Sequence, residues 1–197
     1  MILSGVNKVL IKPLKENDFI VKDGVVFYVN TSYQKEKHAI TCGIVVSNPL
    51  NAGAEIETKE GDIVFFHYLS TLNAIKDKKF FETEDGILYS VNYESLYCAK
   101  RGDDVICLNG FTLVKPLMVH KEDKIGEVYL PESMMQKEIT GRGVVAHTSS
   151  KLVKEGDEIL YRKTSNIPIE YPLHQQMERY FRMKNDSILA ISRSATS

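Results

Sequence analysis

Lys59-Glu60-Gly61-Asp62-Ile63-Val64 and Lys154-Glu155-Gly156-Asp157-Glu158-Ile159 open with the same four residues. In each, glycine supplies the positive φ of a tight turn and the aspartate can bond its own backbone, so the tetrad reads as a turn that starts a strand. Working outward, other blocks recur in the same order. Val9-Leu10-Ile11-Lys12-Pro13-Leu14 returns as Thr112-Leu113-Val114-Lys115-Pro116-Leu117. Gly24-Val25-Val26-Phe27-Tyr28 and Gly43-Ile44-Val45-Val46 correspond to Gly126-Glu127-Val128-Tyr129-Leu130 and Gly143-Val144-Val145-Ala146. Glu94-Ser95-Leu96-Tyr97-Cys98 lines up with Asp186-Ser187-Ile188-Leu189-Ala190. Five blocks in one order, about a hundred residues apart, read as a tandem duplication, with domains expected at residues 1–107 and 108–197.

Each half consists of short β-branched and aromatic runs: Val9 to Ile11, Val25 to Val29, Ile44 to Val46, Ile63 to Phe66, Ile87 to Val91 and Leu96 to Cys98. Gly, Pro, Asn and Asp punctuate them, which predicts an all-β chain. Pro13 and Pro116 are expected to end their strands, since proline lacks the donor a ladder needs. The one helix candidate, Leu173 to Phe181 after Pro172, reads as a loop or a single turn. Halves this short favour small barrels over two-sheet sandwiches.

Composition narrows the function. The chain has 197 residues, 43% hydrophobic and 26% charged, which is globular composition. Lys+Arg number 25 against 26 Asp+Glu, a net charge of -1, which argues against a nucleic-acid binder and its basic face. No apolar run reaches the length of a membrane span, and Met1-Ile2-Leu3-Ser4-Gly5 lacks the features of a secretory signal. Cys42, Cys98 and Cys107 form no C-x-x-C pair and read as core packing; a reducing cytoplasm is expected. His38, His67, His120, His147 and His174 are scattered, so neither a metal site nor a cofactor is expected. No nucleophile elbow or phosphate-binding loop is present, and the chain does not read as an enzyme.

The second half resembles a GroES-type co-chaperonin subunit from end to end. That family runs V-L-V-K-P-L, a polar loop, G-G-I-V-L-P, G-x-V-V-A, V-K-x-G-D-x-V-L-Y and S-D-I-L-A-I. Here the blocks are 112–117, Gly126-Glu127-Val128-Tyr129-Leu130-Pro131, Gly143 to Ala146, Val153-Lys154-Glu155-Gly156-Asp157-Glu158-Ile159-Leu160-Tyr161, and Asp186-Ser187-Ile188-Leu189-Ala190-Ile191. The first half follows the pattern more loosely, so the resemblance covers roughly residues 6–192. It implies two tandem GroES-like, partly open small β-barrels assembled in a homo-oligomeric ring. It also implies a loop on each barrel whose apolar tripeptide docks on a GroEL-type chaperonin in its nucleotide-bound state, closing the folding chamber. By motif the tripeptides are Val128-Tyr129-Leu130 and, by the internal alignment, Val26-Phe27-Tyr28. The family's ring pairs the first strand of one barrel with the last of its neighbour, which points to Val9 to Ile11 or Leu113 to Val114 against Leu96 to Cys98 or Ile188 to Ile191.

Two readings stay open at the tripeptides. Charged stretches (Lys15 to Asp18; His120 to Lys124) lead into them and polar stretches (Ser32 to Lys37; Ser133 to Lys137) follow, a composition suited to folding on a partner. Val26-Phe27-Tyr28 also reads as an ordinary barrel strand, since Val25 and Val29 extend it. The first half departs further: Val29 stands where the family has proline, and Leu72 to Glu84 exceeds the family's turn. The glycine-rich hairpin that roofs such rings is not recognisable in Asn48 to Ala54 or His147 to Ser150. The alternative function is therefore a structural or assembly protein, of a kind viruses carry, using GroES-like barrels for oligomerisation only.

Overall fold

The computed structural model describes residues 4–14, 19–22, 25–28, 40–50, 55–84, 86–120, 124–125, 128–129, 136–164, 167–169 and 179–192. The backbone divides into two compact units, Met1–Asn109 and Gly110–Ser197. Both are β-structured, and the described residues contain a single α-helix.

The first unit runs β1 (Lys8–Pro13), β2 (Phe19–Lys22), β3 (Val25–Tyr28), β4 (Cys42–Ser47), β5 (Ile63–Phe66), α1 (Leu69–Lys76), β6 (Phe80–Thr83), β7 (Gly86–Asn92), a 3-10 turn (Tyr93–Ser95), β8 (Leu96–Arg101) and β9 (Asp104–Cys107). Seven strands form one sheet in the order β6-β7-β1-β4-β5-β8-β9, while β2 and β3 form a separate two-stranded pair. Val9, Ile11, Val45, Val64, Tyr89, Val91 and Ala99 project into one apolar cluster with Ile40, Ala74 and Leu108. Alternate residues of paired strands share a face, so register alone assembles this core. Each Val, Ile or Leu taken fully out of water stabilises by roughly 1.5–3 kcal/mol.

The second unit runs β10 (Phe111–His120), β11 (Lys124–Ile125), β12 (Val128–Tyr129), β13 (Gln136–Thr148), β14 (Glu158–Tyr161), β15 (Ile167–Pro168), β16 (Phe181–Lys184), a 3-10 turn (Asn185–Ser187) and β17 (Ile188–Ser192). Its sheet has the order β15-β16-β10-β13-β14-β17, and β11–β12 is again a separate pair. Its core is Val114, Val145, Val153, Ile159, Tyr161, Phe181 and Met183. Among the described residues, the end strands of neither sheet pair with each other, so neither sheet closes into a complete barrel.

The two tetrads form the same turn. Gly61 and Gly156 have φ of 89° and 88°. The Lys59 amide donates to Asp62 Oδ2 at 2.8 Å and the Lys154 amide to Asp157 Oδ2 at 2.9 Å. Gly61 N–H donates to Val45 O at 2.9 Å and Gly156 N–H to Val145 O at 2.8 Å. Asp62 also accepts a two-pronged contact from Arg101, Nε to Oδ1 at 2.9 Å and Nη2 to Oδ2 at 2.8 Å. Burial alone would push the Asp62 carboxyl up, but the Arg101 and Lys59 hydrogen bonds outweigh it and hold the group below its ordinary value.

Three expectations need correction. Pro13 does end β1, but β10 runs through Pro116 to His120. The irregularity between Pro116 and Met118 accommodates the missing donor, because a bulge is one place where a strand tolerates proline. The helix α1 lies in a stretch that carried no helix signal. Leu173 to Phe181 falls outside the described residues as far as 178, and Phe181 begins β16. Finally, Val9 to Ile11 and Leu113 to Val114 cannot add to a neighbour's sheet. β1 is flanked by β7 and β4, and β10 by β16 and β13, so both edges of each are occupied.

Candidate functional site

The first and the returning strand of each unit are direct antiparallel neighbours, β1 with β4 and β10 with β13. The chain between them carries a small hairpin in both cases. In β2–β3 the pairs run Phe19↔Tyr28, Ile20↔Phe27, Val21↔Val26 and Lys22↔Val25. In β11–β12 they are Lys124↔Tyr129 and Ile125↔Val128. Two residues separate the paired ends each time, Asp23-Gly24 and Gly126-Glu127.

These hairpins hold five of the six tripeptide residues. Val26, Phe27 and Tyr28 lie on β3, and Val128 and Tyr129 form β12; Leu130 lies outside the described residues. The strand reading of Val26-Phe27-Tyr28 holds to the extent that the segment is extended, but its ladder is separate from the seven-stranded sheet. A sequence signal for this hairpin exists: Asp-Gly between two apolar runs favours a two-residue turn.

In the second unit the hairpin rides on a ribbon. Beyond Pro116, among the described residues, β10 pairs only with β13, through Met118↔Glu138, Val119↔Lys137 and His120↔Gln136. The partners β16 and β14 stop at Val114 and at Arg142. Met118 and Val119 are exposed. At the ribbon's root Arg179 Nη1 stands 3.5 Å from Glu138 Oε2 and lies over the Phe181 ring. Nearby, burial, helped by the Glu138 charge, raises the Tyr161 phenol. In the first unit β1 ends at Pro13 and β4 starts at Cys42, and no such ribbon is present among the described residues.

The described residues hold no group of three or more His, Cys, Asp or Glu able to bind a metal, and none of their helices is long and apolar enough to cross a membrane. Asp62 and Asp157 are occupied in their turns, and His147 meets Glu155 at 3.1 Å. No curated protein matches the chain. Residues 102–192 match the family model described as Chaperonin 10 Kd subunit, so the second half of the chain is similar to that family over nearly all of its six-stranded unit.

Proposed function

We propose that the chain is a co-chaperonin, a binding protein and not an enzyme, built as a tandem of two GroES-like units that close a GroEL-type chaperonin ring during ATP-dependent folding. Val128-Tyr129-Leu130 is the principal docking tripeptide and Val26-Phe27-Tyr28 the second. The observation that carries this is the place of the hairpins. In both units they stand between the first strand and the strand that returns beside it, outside the main sheet. The tandem reading is supported by the shared strand order and by bulges at matching positions, Leu10/Ile11 with Leu113/Val114 and Phe65/Phe66 with Leu160/Tyr161.

A single tripeptide binds weakly. Three apolar side chains yield roughly 1.5–3 kcal/mol each, and ordering the segment costs back about 2–5 kcal/mol. Several loops acting together raise affinity by roughly a hundred to ten thousand, so the mechanism requires a ring. Inside the chain, β9 adds to the outer edge of β8 and leads into β10. Ile2-Leu3 precede β1 as Val105-Ile106 precede β10. The ring contact proposed is therefore the start of one chain added to β17 of the next, where Leu189 and Ile191 are exposed.

The test is a pull-down by a chaperonin ring with ATP or ADP. Capture of the wild type and its loss in Val128→Asp with Leu130→Asp are expected. Absence of wild-type capture with any nucleotide would remove the co-chaperonin reading and leave oligomerisation as the function.

A further inference from the structure

The three cysteines are buried thiols on neighbouring strands. Register places them in one cross-strand row: Cys42↔Phe65 on β4–β5, Phe65↔Cys98 on β5–β8, and Cys98↔Cys107 on β8–β9. Cys98 and Cys107 are thus direct partners, while Cys42 is two strands from Cys98. With strands about 4.8 Å apart, two spacings exceed the roughly 7 Å beyond which Cα atoms cannot be bridged.

The parity of the ladder decides whether the pair can close. Leu108 N–H donates to Tyr97 O at 2.8 Å, which marks Tyr97/Leu108 as a hydrogen-bonded pair, and such pairs alternate along an antiparallel ladder. Cys98/Cys107 is then a non-hydrogen-bonded pair, whose Cα atoms stand about 4.5 Å apart with side chains close. That spacing lies inside the span of about 4.4–6.8 Å over which disulfides form. Both thiols are buried, which fits a shared face.

We propose that Cys98 and Cys107 form a reversible dithiol–disulfide site that fastens β9 to β8 when a small-molecule disulfide is in excess. One cysteine thiolate, its proton passed to solvent, attacks the reagent's S–S bond and releases one reagent thiolate, leaving a mixed disulfide. The second cysteine thiolate attacks the protein sulfur and expels the other half. Two S–H bonds and one reagent S–S bond are lost; one protein S–S bond and two reagent thiols are formed. The two cysteines are oxidised by two electrons and the reagent is reduced by two.

Burial shields the site. It raises Cys98 well above an ordinary thiol, with Cys107 adding to the effect, and lifts Cys42 to about 11. Little thiolate is present, so reaction is slow and proceeds through opening of β9, which lies at the sheet's end. The site is a slow latch, consistent with thiols that stay reduced in a reducing compartment.

The experiment incubates the full folded chain with 2-hydroxyethyl disulfide, blocks remaining thiols and maps peptides by mass spectrometry. The expected product is lighter by about 2 Da, carries a Cys98–Cys107 link, and leaves Cys42 blocked. Backbone amide exchange at Val105 to Leu108 should slow in that product. Cys42→Ala should retain the link and Cys107→Ala should lose it; the wild-type map decides even if a variant fails to fold. A link to Cys42, or a Cys98–Cys107 link that forms only in the unfolded chain, overturns the proposal.

Discussion

Gly143 faces Pro116 across the β10–β13 ladder, as Gly43 faces Pro13 across β1–β4. A Cβ on Gly143 would stand 2.6 Å from Lys115 O and against the Val114 side chain; one on Gly43 would stand 2.8 Å from Lys12 O. Backbone cannot yield cheaply there, so the glycine at the head of Gly143-Val144-Val145-Ala146 is a packing requirement. Gly143→Ala is expected to destabilise the second unit by roughly 1–3 kcal/mol, the range for overpacking; urea unfolding measures it. Asp62 gives a pH prediction. Its folded value is depressed, so its contribution is fully present above the unfolded value of about 3.9 and is lost as pH falls through the folded value. Melting of the wild type should drop below about pH 4, and Asp62→Asn should flatten that acid limb while lowering the melt at neutral pH.

Among the elements, most strands were legible because their apolar runs coincide with ladders, as at Ile63–Phe66. α1 was not. Its sequence, Leu-Ser-Thr-Leu-Asn-Ala-Ile-Lys, has no acidic first turn and no side-chain cap. What holds it is tertiary: Thr71, Ala74 and Ile75 are buried, and the Thr71 hydroxyl donates to Ile40 O at 3.1 Å. Helices this short depend on such packing more than on propensity, so sequence periodicity carried little trace. Of the hairpins, β2–β3 leaves a signal in Asp23-Gly24 between two apolar runs, whereas β11–β12 leaves none, since Lys124-Ile125 is too short to signal a strand. Because β2–β3 shares no ladder with the seven-stranded sheet, Val26→Asp with Tyr28→Asp should weaken chaperonin capture without lowering the melting temperature of the first unit. A matched pull-down and thermal melt read both; a lowered melt would show those side chains to be part of the barrel core.

For the whole molecule the decisive question is which sheet ends remain to be added to. β8 is already covered by β9, whereas β17 ends its sheet with Leu189 62% exposed. If chains associate there, Leu189→Lys with Ile191→Lys should turn a ring into single chains in light scattering, because lysines on a strand edge oppose pairing. In the proposed ring, three or four chains would give about six to eight units. An unchanged mass would assign association to another edge.

The matching bulges have a consequence for interchange of parts. A one-residue offset in a ladder reverses which way every later side chain faces, and here both units carry the offset at corresponding places, Leu10/Ile11 and Leu113/Val114. A graft of residues 111–116 in place of 8–13 would therefore keep Val114 inward where Ile11 was. It would also import Thr112, whose hydroxyl is shared with Thr148 and Asn185 at 2.6 Å each, into the buried position of Val9. Stripped of those partners, that hydroxyl costs about 1–3 kcal/mol. The first strands of the two units thus carry the offset at the same place and differ in what they bury, an apolar Val9 against the hydroxyl of Thr112.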